Sequence, residues 1–121
     1  MGADPNADVV WVGLYCADKI AKIDTLTHKV TQYPMPYKYS RPYGMEVDPE
    51  HNVWINMLNT DMVAKFNPAT QKFTQYRLPT RGTDVRQIAL DNSTNPMTVF
   101  IEYSWENKVA RLQFRKASDM E

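Results

Sequence analysis

The chain has 121 residues, the size of one domain, with 43% apolar and 23% charged residues, which excludes a disordered or collagen-like polymer. Fourteen Lys and Arg balance fourteen Asp and Glu, so no net cationic field gathers nucleic acid or an anionic membrane. A single cysteine, Cys16, excludes an intramolecular disulfide and any multi-cysteine zinc site.

Residues 1–8 are acidic with no apolar core, so they do not read as a signal peptide. The next stretch, Val9–Ala17, is the longest apolar run without a charge and is far too short to span a bilayer. Within it Val9–Tyr15 reads as a strand, rich in β-branched and aromatic residues. Lys19–Asp24 alternates apolar and polar residues, the pattern of a half-buried strand. Lys29–Pro34 alternates less cleanly, and Gly44–Asp48 is short and apolar. The series then repeats: Val53–Leu58, Met62–Asn67, Lys72–Leu78, Ile88–Asp91, Met97–Tyr103 and Lys108–Phe114. Turn chemistry separates them, at Asp4-Pro5, Asp48-Pro49 and Asn67-Pro68. No window carries a long helical period.

The repetition is explicit in the residues. Val10-Trp11-Val12 returns as Val53-Trp54-Ile55 and, more loosely, as Val99-Phe100-Ile101. Ile20-Ala21-Lys22-Ile23 returns as Val63-Ala64-Lys65-Phe66 and as Val109-Ala110-Arg111-Leu112. Aligning residues 8–50 with 51–93 gives twelve identities in forty-three positions. The second period is 46, with three extra residues in the segment 92–96. Four short strands per ~43 residues is the spacing of a propeller blade. The fold class is therefore all-β, a partial β-propeller of about 2.5 four-stranded blades. Repeat 1 covers about 4–48, repeat 2 about 49–91 and a partial repeat 3 about 92–114, with a polar tail at 115–121. In a propeller's usual order, inner strand a to outer strand d, the ten strands run b-c-d, a-b-c-d, a-b-c. Propellers have four to eight blades, so this stretch cannot close a ring alone. Two readings stand: a fragment of a longer protein, or a protomer that self-associates as a dimer or trimer. Bare blade faces and strand edges favour self-association over an open monomer.

Val53-Trp54-Ile55, Asp61, Val63-Ala64-Lys65-Phe66 and Lys72-Phe73-Thr74-Gln75-Tyr76-Arg77-Leu78-Pro79 together resemble the virginiamycin B lyase (streptogramin lyase) repeat. Arg41-Pro42-Tyr43-Gly44-Met45 and Asn107-Lys108-Val109-Ala110-Arg111-Leu112 are further counterparts. The resemblance spans about residues 4–114 and extends to NHL-type propellers. It implies a seven-bladed propeller and a magnesium-dependent carbon–oxygen lyase that opens a cyclic ester, with a His as general base. The sequence departs from that pattern. Its two histidines, His28 and His51, fall in c–d and a–b turns, and Tyr43 stands where the family's Pro-His-Gly motif places its His. No catalytic residue is carried over.

The remaining candidates come from position. The d-to-a connection Tyr37–Tyr43 offers Tyr37, Tyr39, Arg41 and Tyr43, which could stack on and hydrogen-bond a small polar or peptidic ligand. The next such loop supplies Arg81, Asp84 and Arg86. Tyr103 and Trp105 join this list, Trp105 because it breaks the aromatic column of Trp11, Trp54 and Phe100 that reads as blade-to-blade packing. Glu102 is the one metal-ligand candidate. Two registers place it on opposite faces of its strand, and a strand-edge carboxylate paired with a cation is the alternative reading. Glu46 is a possible channel residue. Lys22, Lys65 and Arg111 read as a solvated stripe and Cys16 as a spectator thiol. Asp18, Asp61 and Asn107 share a turn column, expected to hold the turn through local backbone bonds. The function this supports is a ligand-binding propeller segment without independent catalysis. The lyase working in a complete ring and a protein-interaction scaffold are the alternatives. The compartment is left open.

Overall fold

The computed structural model describes residues 1–116 and Ser118. Among these described residues, eleven strands form three antiparallel sheets. The first sheet comprises β1 (Gly2–Ala3), β2 (Val9–Leu14), β3 (Lys19–Asp24) and β4 (Val30–Pro34). The second comprises β5 (Pro42–Val47), β6 (Val53–Met57), β7 (Met62–Asn67) and β8 (Lys72–Arg77). The third comprises β9 (Val85–Asp91), β10 (Thr98–Tyr103) and β11 (Lys108–Gln113). Each sheet follows chain order from inner to outer strand, so each is a blade. The inner strands adjoin, β1 against β5 and β5 against β9. The all-β partial propeller read from the repeat is thus the observed fold.

Three details differ from expectation. An eleventh strand, β1, pairs Gly2 with Trp11 and Ala3 with Val10. The inner strands begin earlier than expected, at Pro42 and Val85. Pro42 is tolerated because an inner strand is a sheet edge, where a missing N–H breaks no ladder, and the register shifts between Pro42 and Met45. A 3-10 turn, Tyr15–Ala17, follows β2 and ends at Asp18 in the left-handed region.

Period-2 alternation gives every blade two apolar faces, and these faces are what pack. One face of the second blade carries Val53, Ile55, Ala64 and Phe66. It seals against Trp11 and Ile20 of the first. Its other face carries Trp54 and Val63, which Val85, Ile88, Val99 and Ile101 of the third blade cover. Trp11 and Trp54 are each 1% exposed. Aromatic contacts support both seams: Trp11 meets Phe66 edge-on at 5.6 Å, and Trp54 meets Phe114 at 5.7 Å. The Trp54 indole N–H donates to buried Asp48 at 3.0 Å, so the polar end of the ring is satisfied too. Lys65 of the expected cation stripe lies over the Trp54 ring, 5.6 Å from its centroid.

Candidate functional site: the mouth at the inner strands

Antiparallel order puts the d-to-a loops (35–41 and 78–84) and the b–c turns (15–18, 58–61 and 104–107) at one end of the blades. The a–b and c–d turns lie at the other end. Most of the expected ligand residues fall at the first end. Their loops are held by a repeated device. The Asp18 carboxylate accepts the Tyr39 N–H at 2.7 Å and the Arg41 N–H at 3.0 Å. One repeat later, Asp61 accepts the N–H of Gly82 at 2.8 Å and of Thr83 at 3.0 Å, and the Thr83 hydroxyl at 2.8 Å. These bonds correct the expectation of local turn bonds. Both aspartates adopt positive φ, 50° and 52°, and their carboxylates reach more than twenty residues forward to the next loop rather than to their own turn.

The clamp also holds unusual backbone. Tyr39 and Arg41 have φ of 62° and 49°, a region that costs side-chain-bearing residues roughly 1–3 kcal/mol. Gly82, at the position equivalent to Tyr39, has φ 69° and escapes that cost. Asp84, equivalent to Arg41, has φ 48°. Backbone held in such a region is retained where the surrounding structure over-determines it, and binding sites are common places for it.

The result at the inner edge is a cluster of Tyr15, Arg41 and Tyr43. The Arg41 guanidinium donates to the Tyr15 hydroxyl at 3.1 Å and stands 5.3 Å over the Tyr15 ring centroid. Its hydrogen bond to Tyr15 raises the Arg41 pKa further, so the cation is permanent. The Tyr43 ring meets Tyr15 edge-on at 6.1 Å and is 45% exposed. Next to it, β5 and β9 approach closely: a Cβ added to Gly44 would lie 2.2 Å from the Arg86 carbonyl oxygen. Tyr43 and Arg86 therefore flank one main-chain contact. Arg86 donates from Nε and from a terminal nitrogen to the Asp84 carboxylate, each at 3.0 Å. Gln87 and Glu46 are exposed on the same two strands.

The other candidates disperse. Tyr37 leaves the cluster and donates its hydroxyl to the Met62 sulfur at 3.6 Å. Tyr39 is 69% exposed, and Arg81 is exposed near Asp61. Trp105, 76% exposed, shares a shallow depression of about 280 Å³ with Leu58, Asn59, Asp61, Gly82 and Asp84. Tyr103 is not at the mouth surface. It is 5% exposed within the seam between the second and third blades, because it continues the inward alternation Val99, Ile101, Tyr103.

Glu102 pairs with Val109, as Asn56 pairs with Val63. That register settles its face: it lies on the outer side of the third blade and accepts the Ser104 hydroxyl at 3.1 Å. Magnesium asks for several converging oxygen ligands. Among the described residues no three His, Cys, Asp or Glu side chains come together, so the residues present do not fit that ion. His28 and His51 sit at the far end, where His51 Nδ1 lies 2.7 Å from the Asp4 carboxylate.

Tyr15 was not among the expected residues. It aligns with Leu58 and Ser104, so an aromatic breaks that column, the same signal that singles out Trp105.

The clamps predict an acid limit to stability. Hydrogen bonds from the Arg41 and Tyr39 backbone hold the Asp18 carboxyl below its ordinary value. For Asp61, burial pushes the carboxyl up, but the Thr83 and Gly82 hydrogen bonds outweigh it and the net direction is down. Asp24 and Asp91 are lowered by turn hydrogen bonds from Thr27 and Ser93. A depressed folded value means that the stabilisation is complete above the unfolded value of about 3.9. It is lost as pH falls through the lower folded value. Urea midpoints are expected to be level from neutral pH down to about pH 5, then to fall steeply in the region below pH 4. Asp61→Asn is expected to flatten that fall, and an unchanged acid limb would count against the clamp.

No protein-family model and no curated protein matches the sequence. Solved structures do. A streptogramin B lyase structure matches with TM-score 0.77 and 26% identity over 86% of this chain. Virginiamycin B lyase from Staphylococcus aureus matches with TM-score 0.75 and 24% identity over 86%. The chain has a virginiamycin B lyase-like β-propeller fold. A catalytically inactive virginiamycin B lyase from the same organism, with quinupristin, matches with TM-score 0.74 and 20% identity over 93% of the chain. This chain spans only 33%, 34% and 40% of those three proteins. It thus corresponds to part of a virginiamycin B lyase-like β-propeller, and at this identity the likeness concerns the fold and not the chemistry.

Proposed function

We propose that the chain is the ligand-binding segment of a virginiamycin B lyase-like propeller, without catalysis of its own. It takes a small polar or peptidic ligand carrying an aromatic ring and a carbonyl or carboxylate group. The observation that carries this reading is the Asp18 clamp, which holds Arg41 in a left-handed conformation with its guanidinium over Tyr15. One guanidinium N–H is used by Tyr15. The group has five, so the others serve a ligand oxygen while Tyr43 supplies an exposed ring for stacking. Arg86 and Asp84 add a paired donor and acceptor on the neighbouring strand.

Titration calorimetry with N-acetylphenylalanine and with quinupristin tests the proposal. Binding of at least one is expected, weakened roughly ten- to a hundredfold in Arg41→Ala, the loss of one charge-assisted hydrogen bond of about 1.5–3 kcal/mol. Lys29→Ala, exposed in a turn at the opposite end of the blades, is the control for charge alone. No binding of either compound, or equal binding by wild type and Arg41→Ala, overturns the reading.

A further inference from the structure

At the mouth end, the same repeat columns are occupied differently in the two seams. Between the first and second blades, the b–c turn brings Tyr15 and the d-to-a loop brings Tyr39 and Arg41. Between the second and third blades, the same positions hold Leu58, Gly82 and Asp84. Three long side chains are thus replaced by a buried aliphatic one, by none, and by a short carboxylate. A Cβ added to Gly82 would meet nothing within 4 Å, so the place is open. The opening is the depression of about 280 Å³ bounded by Leu58, Asn59, Asp61, Gly82, Asp84 and Trp105. That is the lower end of small-ligand sites.

Its walls are held in place by the chain itself. Asp61 clamps Gly82 and Thr83. The Trp105 N–H donates to the Thr83 carbonyl at 3.4 Å, and the Leu58 N–H to the Arg41 carbonyl at 3.1 Å. Walls fixed in advance lower the ordering cost of binding. Trp105 is 76% exposed. Cys16 and Asn59, the other members of its column, are exposed as well, and each of their blades has a further blade packed beyond it. The exposure therefore belongs to the position, whatever follows the third blade.

The polar groups decide what the depression takes. A cation gains little there. The Asp61 carboxylate already accepts from three donors, and Asp84 Oδ2 accepts from two Arg86 nitrogens, which neutralise it. An anion would meet the two carboxylates. What remains is Asp84 Oδ1, an acceptor, and the exposed Asn59 amide, which both donates and accepts. Hydroxyl groups match that mixture. The indole of Trp105 offers a flat apolar face with a negative quadrupole, on which the C–H face of a sugar ring stacks. We infer that the depression binds one pyranose ring of a neutral carbohydrate, stacked on Trp105 with its hydroxyls on Asn59 and Asp84. The inference goes beyond the ligand at Arg41 and does not rest on it, since neither Arg41 nor Tyr43 takes part.

Titration with maltotriose, cellotriose and triacetylchitotriose, read on the tryptophan indole N–H resonances and by calorimetry, tests the inference. At least one is expected to bind with millimolar affinity and to move the Trp105 resonance, leaving those of buried Trp11 and Trp54 in place. Trp105→Ala, whose exposed side chain can be lost without unfolding the chain, is expected to weaken binding roughly tenfold. Trp105→Phe keeps an aromatic face and is expected to retain part of the affinity. Gly82→Tyr returns to the opening the ring that the first loop carries at Tyr39, and is expected to block the sugar. Arg41→Ala is expected to bind the sugar as the wild type does while losing N-acetylphenylalanine, so the two sites fail separately. No binding of any of the three sugars, equal binding by Trp105→Ala, or a Trp105 shift produced by tetramethylammonium chloride and by none of the sugars each overturns the inference.

Discussion

Trp54→Ala is expected to lower the unfolding free energy by about 3–5 kcal/mol. Domains of this size are stable by roughly 5–15 kcal/mol, so the variant will be close to unfolding at 37 °C. The effect has three parts. The ring is 1% exposed between the second and third blades, so its removal leaves a cavity that two rigid sheets cannot collapse to fill. It packs on Tyr76 and on Phe114, 5.7 Å away, so two further aromatic contacts go with it. Asp48, 3% exposed, loses the indole donor, which leaves a buried carboxylate short of one partner. Urea unfolding measures the change. Trp105→Ala is the control: its side chain is 76% exposed, and an effect within about 0.5 kcal/mol is expected. Equal effects at the two tryptophans would mean that the repeat column is not the seam.

Gly44→Ala is the second large effect. Its new Cβ would stand 2.2 Å from the Arg86 carbonyl oxygen and 3.4 Å from the Asn56 side-chain nitrogen. The first neighbour is main chain, and β9 is fixed by its ladder to β10, so no rotamer change relieves the clash. The buried Asn56 amide donates to the Gln87 carbonyl at 2.6 Å across the same contact, and a displaced β9 would break that bond as well. A loss of about 3 kcal/mol is expected, at the upper end of over-packing effects. Gly82→Ala provides the contrast. Nothing lies within 4 Å of its added Cβ, and φ is 69°, so only the left-handed penalty of about 1–2 kcal/mol applies. A smaller loss at Gly44 than at Gly82, measured by urea unfolding, would contradict the close approach of the inner strands.

Why some of this was legible in the sequence is physical. A propeller asks every blade for the same two apolar faces, so Val10-Trp11-Val12 and Val53-Trp54-Ile55 repeat at the period of the structure itself. The fold is therefore written many times over. The mouth is written once. Arg41 and Tyr43 were readable because their loop is rich in aromatics and cations, but their partner Tyr15 lies in another segment and shows only as a break in a column. Tyr103 misled because its aromatic character suggested a ligand contact, whereas its parity with Val99 and Ile101 places it in the seam. Asp18 and Asp61 occupy turn positions where short polar side chains usually bond locally. Their carboxylates, carried on left-handed backbone, instead serve a loop more than twenty residues on. The face of Glu102 depended on where three inserted residues fell, and strand pairing alone decides that.

The most direct test of the account is an amide shift map of the isotope-labelled chain, titrated to millimolar concentration with N-acetylphenylalanine and, separately, with quinupristin. The account predicts shifts concentrated in the b–c turn at 15–18, the clamped loop at 39–44 and the neighbouring strand at 84–87. Shifts confined to the opposite end, at 48–52 and 67–71, or no shifts at all, would contradict it.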